Sequence, residues 1–140
     1  MQTRVVLALL LSHLMVNGQP VQTPVLPRHI VGVKYPRLAN FAHVAGEVSL
    51  EAKVSADGHV ATVKMISGNS LLRDAAKESL EQWRFEPCDQ SKRDCRARVT
   101  FTFVLDSTVT CKIAECPNDI SVDLPNRITV RSQLALAIVD

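Results

Sequence analysis

Apolar and polar positions alternate without a fault from Glu47 to Val54. Val48, Leu50, Ala52 and Val54 share one side; Glu47, Ser49, Glu51 and Lys53 share the other. A period of two is that of a strand with one buried face. Asp57-Gly58 follows, a pair that tolerates the positive φ of a hairpin turn. Val60 to Ile66 then returns as a second strand. Ala61, Val63 and Met65 lie on one face, while Val60 and Ile66 fall on the other and blur the alternation. In Ser67-Gly68-Asn69-Ser70, either Asn69 or Ser70 can cap a helix.

The period then changes. Leu72, Ala75, Ala76, Ser79, Leu80 and Trp83 recur at three and four, which predicts a helix with one apolar face running to about Trp83. Lys77, Glu78, Glu81 and Gln82 fall mostly on its wet side. Pro87 breaks the element, and Cys88 to Cys95 is a polar loop. Arg96 to Leu105 alternates again, with Ala97, Val99, Phe101, Phe103 and Leu105 on one face and Arg98, Thr100 and Thr102 on the other. Upstream, Tyr35-Pro36 opens a short helix, because proline suits a first helical turn. Its weak apolar face is Leu38, Ala39 and Ala42, and Gly46 ends it. Pro20, Pro24 and Pro27 make Gln19 to Arg28 an extended leader rather than a folded element. Downstream, Ile120 to Leu124 alternates briefly. Arg127 to Val139 alternates for longer, with Ile128, Val130, Leu134, Leu136 and Ile138 on one side and Ser132 interrupting. These are one or two further strands. The order helix–strand–strand–helix–strand is buried most simply as an antiparallel sheet with helices on one face.

Composition supports one domain in 140 residues, with 46% hydrophobic and 21% charged residues. The 16 Lys+Arg against 14 Asp+Glu are too nearly balanced for binding to nucleic acid driven by bulk charge. Locally, Lys92, Arg93, Arg96 and Arg98 form a basic cluster. It is read as a solvated loop, with docking of an acidic partner as the sharper idea. Residues 1–18 have the layout of a secretory signal peptide: Arg4, an apolar run from Val5 to Val16, then Asn17-Gly18 at a cleavage point. Twelve helical residues rise only about 18 Å, against a bilayer core of about 30 Å. The reading is therefore export without a stable membrane anchor. In an oxidising space Cys88, Cys95, Cys111 and Cys116 form disulfides. Three pairings are open; the sequence-local one closes short loops worth roughly 2–2.5 kcal/mol each. The rival is zinc, but C-x6-C-x15-C-x4-C holds only one pair with the usual tight spacing.

Catalytic motifs do not stand out. There is no Gly-rich phosphate loop, no His-Glu-x-x-His and no Gly-x-Ser-x-Gly. His29, His43 and His59 are scattered, and Glu78 and Glu81 lie on a wet helix face. The expectation is a protein that is not an enzyme, with no catalytic residue, cofactor or metal.

One ordered set of short motifs remains. Tyr35-Pro36-x-x-Ala39, Gly46-x-Val48, Asp57-Gly58-x-Val60, Ser67-Gly68, Ala75-Ala76, Trp83-Arg84-Phe85-x-Pro87 and the strand Val99 to Leu105 together resemble the TonB C-terminal domain family. The resemblance spans residues 34–106. It implies an α+β domain: a small three-stranded antiparallel sheet, two helices on one face, and extra C-terminal strands in residues 107–140. Residues 19–33 remain the leader. In that family the domain is periplasmic in Gram-negative bacteria and grips an extended segment, the TonB box, of outer-membrane transporters. The segment adds as a strand, satisfying unpaired backbone groups. Carried over by position, the edge is Arg96 to Leu105, with Arg96, Arg98, Thr100, Thr102 and Val104 as the partner-binding residues; backbone groups give affinity, and outward Arg98, Thr100 and Thr102 tune which peptide is accepted. The implied partner is thus a protein or extended peptide, as an accessory to transport. Three departures qualify this: the expectation of no inner-membrane anchor and no long Pro-rich spacer of the kind an energy-coupling member has, the four cysteines, and a tail that can pair with the same strand. If it does, the alternative is a structural or assembly protein with a self-capped edge and no energy-transducing role, docking or forming a homodimer through another face.

Overall fold

The computed structural model describes residues 24–112 and 116–136; the expected signal peptide at 1–18 lies outside them. Nine elements follow in order: β1 (Pro27–His29), α1 (Arg37–Phe41), β2 (Gly46–Val54), β3 (Val60–Ser67), α2 (Ser70–Glu81), β4 (Arg84–Phe85), β5 (Arg96–Lys112), β6 (Asn118–Asp123) and β7 (Arg127–Leu136). They form an α+β fold with a five-stranded sheet in the order β3-β2-β5-β7-β6 and a two-stranded β1-β4 sheet.

The clean alternation of β2 puts Val48, Leu50, Ala52 and Val54 wholly inside. β2 pairs antiparallel with β3 on one side and β5 on the other. That is the expected three-stranded antiparallel core. The blurred alternation of β3 has a structural cause. Its register against β2 shifts twice, once between the Lys53 and Val54 pairs and once between the Ser49 and Leu50 pairs. Each shift is a bulge, which inserts a residue and resets which side faces the core. Val60, Val63 and Met65 therefore all pack against the core, whereas Ala61 and Ile66 face out. The hairpin is closed through Asp57 and Gly58. The Asp57 carboxylate accepts from the Ser55 hydroxyl and the His59 N–H, and Gly58 has φ +90°.

α2 begins where expected, with Asn69 as its cap: Oδ1 accepts from the Leu71 N–H at 2.9 Å. Leu72, Ala76, Ser79 and Leu80 are its buried stripe, and Trp83 beyond its end is fully buried. The Trp83 Nε1–H donates to the Val31 carbonyl at 3.2 Å, and the Ser79 hydroxyl donates to the same oxygen at 2.7 Å. The chain before α1 is therefore not a loose leader in its described part. Pro27–His29 pairs antiparallel with β4, and Val25 and Val33 are buried. Prolines set these residues extended, and extended chain can pair and pack as well as link. α1 departs from its expected face: Ala39 and Asn40 are buried, whereas Leu38 is 63% exposed.

The cysteines pair locally, Cys88 with Cys95 and Cys111 with Cys116. A disulfide leaves no thiolate for a metal, so the zinc alternative falls. The tail supplies two strands. β7 lies beside β5 and runs parallel to it, from Thr100↔Arg127 to Lys112↔Leu136. β6 then pairs antiparallel on the outer side of β7. Ile128 and Val130 are buried with the rest of the core.

Candidate functional site

The strand edges decide what this molecule can hold. Arg96, Arg98, Thr100, Thr102 and Val104, expected on an open edge, sit on a strand in the middle of the sheet. β2 flanks β5 from Arg96 to Phe103, and β7 flanks its other side from Thr100 onward. Among the described residues of β5, Arg96–Val99 and the bulged Ser107–Val109 have no partner on the β7 side. β5 continues seven residues past Leu105, and the returning tail pairs beside it from Thr100 onward, on the flank that the resemblance gives to a partner.

Among the described residues the outermost strands of the sheet are β3 and β6, and β5 runs past the end of β2, so Val104–Lys112 has no β2 partner on that side. The two outermost strands differ in regularity. β3 carries the two register shifts described above, and bulges twist an edge away from further pairing. β6 is paired to β7 through six consecutive residues without a shift, from Asn118↔Ser132 to Asp123↔Arg127. It is the straight edge. Tyr35 seats it: the Tyr35 N–H donates to the Asn118 side-chain oxygen at 3.1 Å. The Tyr35 ring stands edge-on to Phe103, with centroids 5.4 Å apart. Its hydroxyl donates to the Val44 carbonyl, and burial pushes its pKa up to about 12.

The registers line residues up in rows across the sheet. On the core side, Val48, Phe101, Ile128 and Val122 form one row, and Phe103, Val130 and Ile120 another. Both rows are buried until they reach β6, where Val122 is 44% and Ile120 38% exposed. On the outer side, Thr100, Arg127 and Asp123 form one row, and Val104, Arg131 and Asp119 another.

β7 is fastened from above by a side chain that sequence reading passed over. Asn40 on α1 is 3% exposed. Its Nδ2 donates to the Ser132 Oγ at 3.1 Å and the Gln133 carbonyl at 2.9 Å, and its Oδ1 accepts from the Ala135 N–H at 2.9 Å. Gln133 C=O and Ala135 N–H are two residues apart and so point to the same side of the strand. The Asn40 amide gives them what the peptide group of a neighbouring strand would give. It does so just where β6 ends its pairing, at Ser132. Ser132, which interrupts the apolar row in the sequence, is thereby buried and satisfied. Lys34, Arg37, Cys116 and Asn118 complete, with Asn40 and Ser132, a cleft of about 470 Å³ beside this fastening.

The basic cluster is mostly neutralised. Arg96 contacts Asp94 at 2.7–2.9 Å and Glu51 at 3.7 Å. Arg98 reaches Glu51 at 3.7 Å and Lys92 reaches Asp89 at 3.3 Å. Hydrogen bonding to Arg96 holds the Asp94 carboxyl below its usual range. Of the motif residues, Tyr35, Trp83 and Phe85 are core. Pro36 precedes the first residue of α1. Gly46 has φ +138°, and Asp57 and Gly58 make the turn. Pro87 leads into the buried Cys88. Among the described residues no group of three or more His, Cys, Asp or Glu side chains is placed to hold a metal ion, and no helix is long and apolar enough to cross a membrane.

Compared with known proteins, residues 31–105 match the family described as Gram-negative bacterial TonB protein C-terminal. A solution NMR structure of the Pseudomonas aeruginosa TonB CTD matches at 18% identity and a TM-score of 0.46, covering 59% of this chain and 88% of that one. No curated protein matches. β6, β7 and the last part of β5 lie beyond the residues that the family matches.

Proposed function

Because the chain belongs to the family of Gram-negative bacterial TonB protein C-terminal domains, we propose that it is a periplasmic protein-interaction module that takes an extended partner segment as an added strand, and takes it on β6 instead of β5. One observation carries this reading. β7 pairs with β5 from Thr100 to Lys112 around a bulge at Ser107–Val109 and is itself part of the core, while β6 presents a straight flank with no partner strand among the described residues. Backbone groups on that flank gain partners from any extended chain laid beside them. Affinity then comes from the ladder, and selectivity from the side chains on its two faces. This is an interaction module rather than an enzyme, and its setting in the family makes segments of outer-membrane transporters the first probes.

The test is amide exchange of the oxidised protein, alone and with an excess of synthetic ten-residue peptides copied from TonB-box segments. The expected result is slowed exchange at alternate amides between Asn118 and Asp123, with Thr100–Lys112 unchanged. Faster exchange in β7 together with peptide-dependent protection in β5 would mean that the tail is displaced, and would overturn the choice of edge.

A second reading makes the tail a permanent cap and the protein a structural component. The burial of Ile128 and Val130 favours permanence for β7. It says nothing against strand addition at β6, so the two readings part on whether β6 amides gain protection.

A further inference from the structure

We infer that the β6 edge selects an extended segment in which basic residues alternate with apolar ones. The inference rests on strand addition at β6 and names the partner's chemistry. Side chains of β6 alternate between the two faces of the sheet. Asp119, Ser121 and Asp123 face outward, each opposite an outward residue of β7: Arg131, Thr129 and Arg127. Ile120 and Val122 face the core side, opposite Val130 and Ile128. An added strand must continue both sets of rows.

On the core side, the row Val48–Phe101–Ile128 is at most 2% exposed until it reaches Val122 at 44%. The next position in that row gains from an apolar residue and loses from a charged one. On the outer side, the sign alternates across the sheet, base on β7 and acid on β6. Opposite charges directly across a ladder stabilise and like charges destabilise. Lys or Arg at the partner's outward positions continues the alternation; Asp or Glu places two carboxylates face to face. The outer end of the edge adds to this. Asp106 and Asp119 flank Arg131 in a cleft of about 240 Å³ with Asn118, Ser132 and Gln133.

A second copy of this chain is the obvious rival occupant, and the same rows disfavour it. β6 contains no Lys or Arg, so its twofold mate offers neither Asp119 nor Asp123 a countercharge. In the register centred on Ser121 it sets Asp119 against Asp123 twice.

The experiment uses three fluorescein-labelled peptides, Lys-Val-Lys-Val-Lys-Val, Glu-Val-Glu-Val-Glu-Val and Lys-Lys-Lys-Val-Val-Val, with fluorescence anisotropy against the full oxidised protein. The alternating basic peptide is expected to bind about tenfold more tightly than the acidic one, from two ladder positions of opposite rather than like charge. The non-alternating peptide should not bind specifically. In Asp119→Asn/Asp123→Asn the ratio should fall towards one. Should that variant fold poorly, the same collapse is read on the unmodified protein by raising the salt to about 1 M, which screens exposed charges beyond about 3 Å. Equal binding of the two alternating peptides, with β6 amides protected by both, would sink the charge selection and leave strand addition standing. No protection of β6 by any peptide would remove strand addition as well. Equal binding of the non-alternating peptide, or a dimer in sedimentation that the peptides fail to dissociate, also overturns the inference.

Discussion

Replacing Asn40 by leucine tests whether one amide fastens the tail to the family core. The change keeps the branched outline of the side chain, with larger methyl groups, and removes three hydrogen bonds, two donated by Nδ2 and one accepted by Oδ1. The Ala135 N–H suffers most, since Ala135 is 2% exposed and loses its side-chain acceptor. An orphaned buried donor costs about 1–3 kcal/mol, and each ordinary hydrogen bond contributes about 0.5–1.5 kcal/mol. Leucine recovers part of this by burying apolar surface. The expected net loss is about 2–4 kcal/mol, or roughly 10 °C in Tm for a chain of this size. Urea unfolding followed by circular dichroism reads the first number, and amide exchange at Ala135 reads the mechanism. Asn40→Asp separates the two ends of the side chain. It keeps the acceptor for Ala135 but puts a carboxylate against the Gln133 carbonyl. It should be worst at neutral pH and recover on acidification, when the protonated acid can donate. A loss below about 0.5 kcal/mol for Asn40→Leu, or an Ala135 amide still as slow as in the parent, would show that the bonds hold nothing.

Three other outcomes are expected. Gly58→Ala should cost at least about 2 kcal/mol, because φ is +90° and the new Cβ would stand 2.2 Å from the Phe85 carbonyl oxygen. Gly46→Ala, with φ +138° and nothing within 4 Å, should cost less, and equal losses in thermal unfolding would refute the role of the contact. Asp57 titrates at about 2, held down first by the Ser55 hydroxyl and then by the His59 N–H. Its folded pKa lies below the ordinary aspartate value of 3.8, so its stabilising effect is present above about pH 4 and is lost as pH falls towards 2. Carboxyl NMR should find the Asp57 midpoint moving up towards 3.8 in Ser55→Ala. Opening either disulfide, as Cys88→Ser/Cys95→Ser or Cys111→Ser/Cys116→Ser, should lower stability by about 2–2.5 kcal/mol from loop closure alone, read as a lower urea midpoint.

The sequence was most legible where one face of an element is buried and its period is unbroken. β2 is the clearest case, and α2 with Asn69 as cap is close behind. β3 was half legible, since two bulges reset its faces and a bulge leaves no signature in alternation. The leader was misread for a different reason. Its prolines announce extended chain, but whether extended chain pairs depends on Arg84 and Phe85, more than fifty residues away. Asn40 carries no local signal at all. A lone Asn in a five-residue helix is unremarkable until Ala135, 95 positions on, is brought beneath it. The neighbours of the candidate site are illegible for the same reason: Arg96 to Leu105 reads as a strand in sequence, but being an edge is a property of the strands beside it.

The order β5-β7-β6 is what sequence reading is least able to supply, because consecutive strands usually lie side by side. Here β6 follows β5 in the chain yet lies one place further out, and β7 returns to fill the gap. The compositions of the two strands account for the choice. β7 offers the core Ile128, Val130 and Ala135, and its one polar intruder, Ser132, is satisfied by Asn40. An inner position buries all of these. β6 carries Asp119 and Asp123, whose charges remain hydrated at an edge and have Arg131 and Arg127 opposite. Exchanging the two strands would uncover the larger apolar row and bring both carboxylates inward. The result is a sheet whose family core ends in a strand that is covered, and whose added hairpin presents a new edge. That edge lacks the bulges that guard β3 and has no lysine or proline of its own. An unguarded straight edge that still exposes part of an apolar row promotes aggregation unless something pairs with it. The two aspartates restrict what that can be: they disfavour a second copy of this chain and favour a strand that brings positive charge.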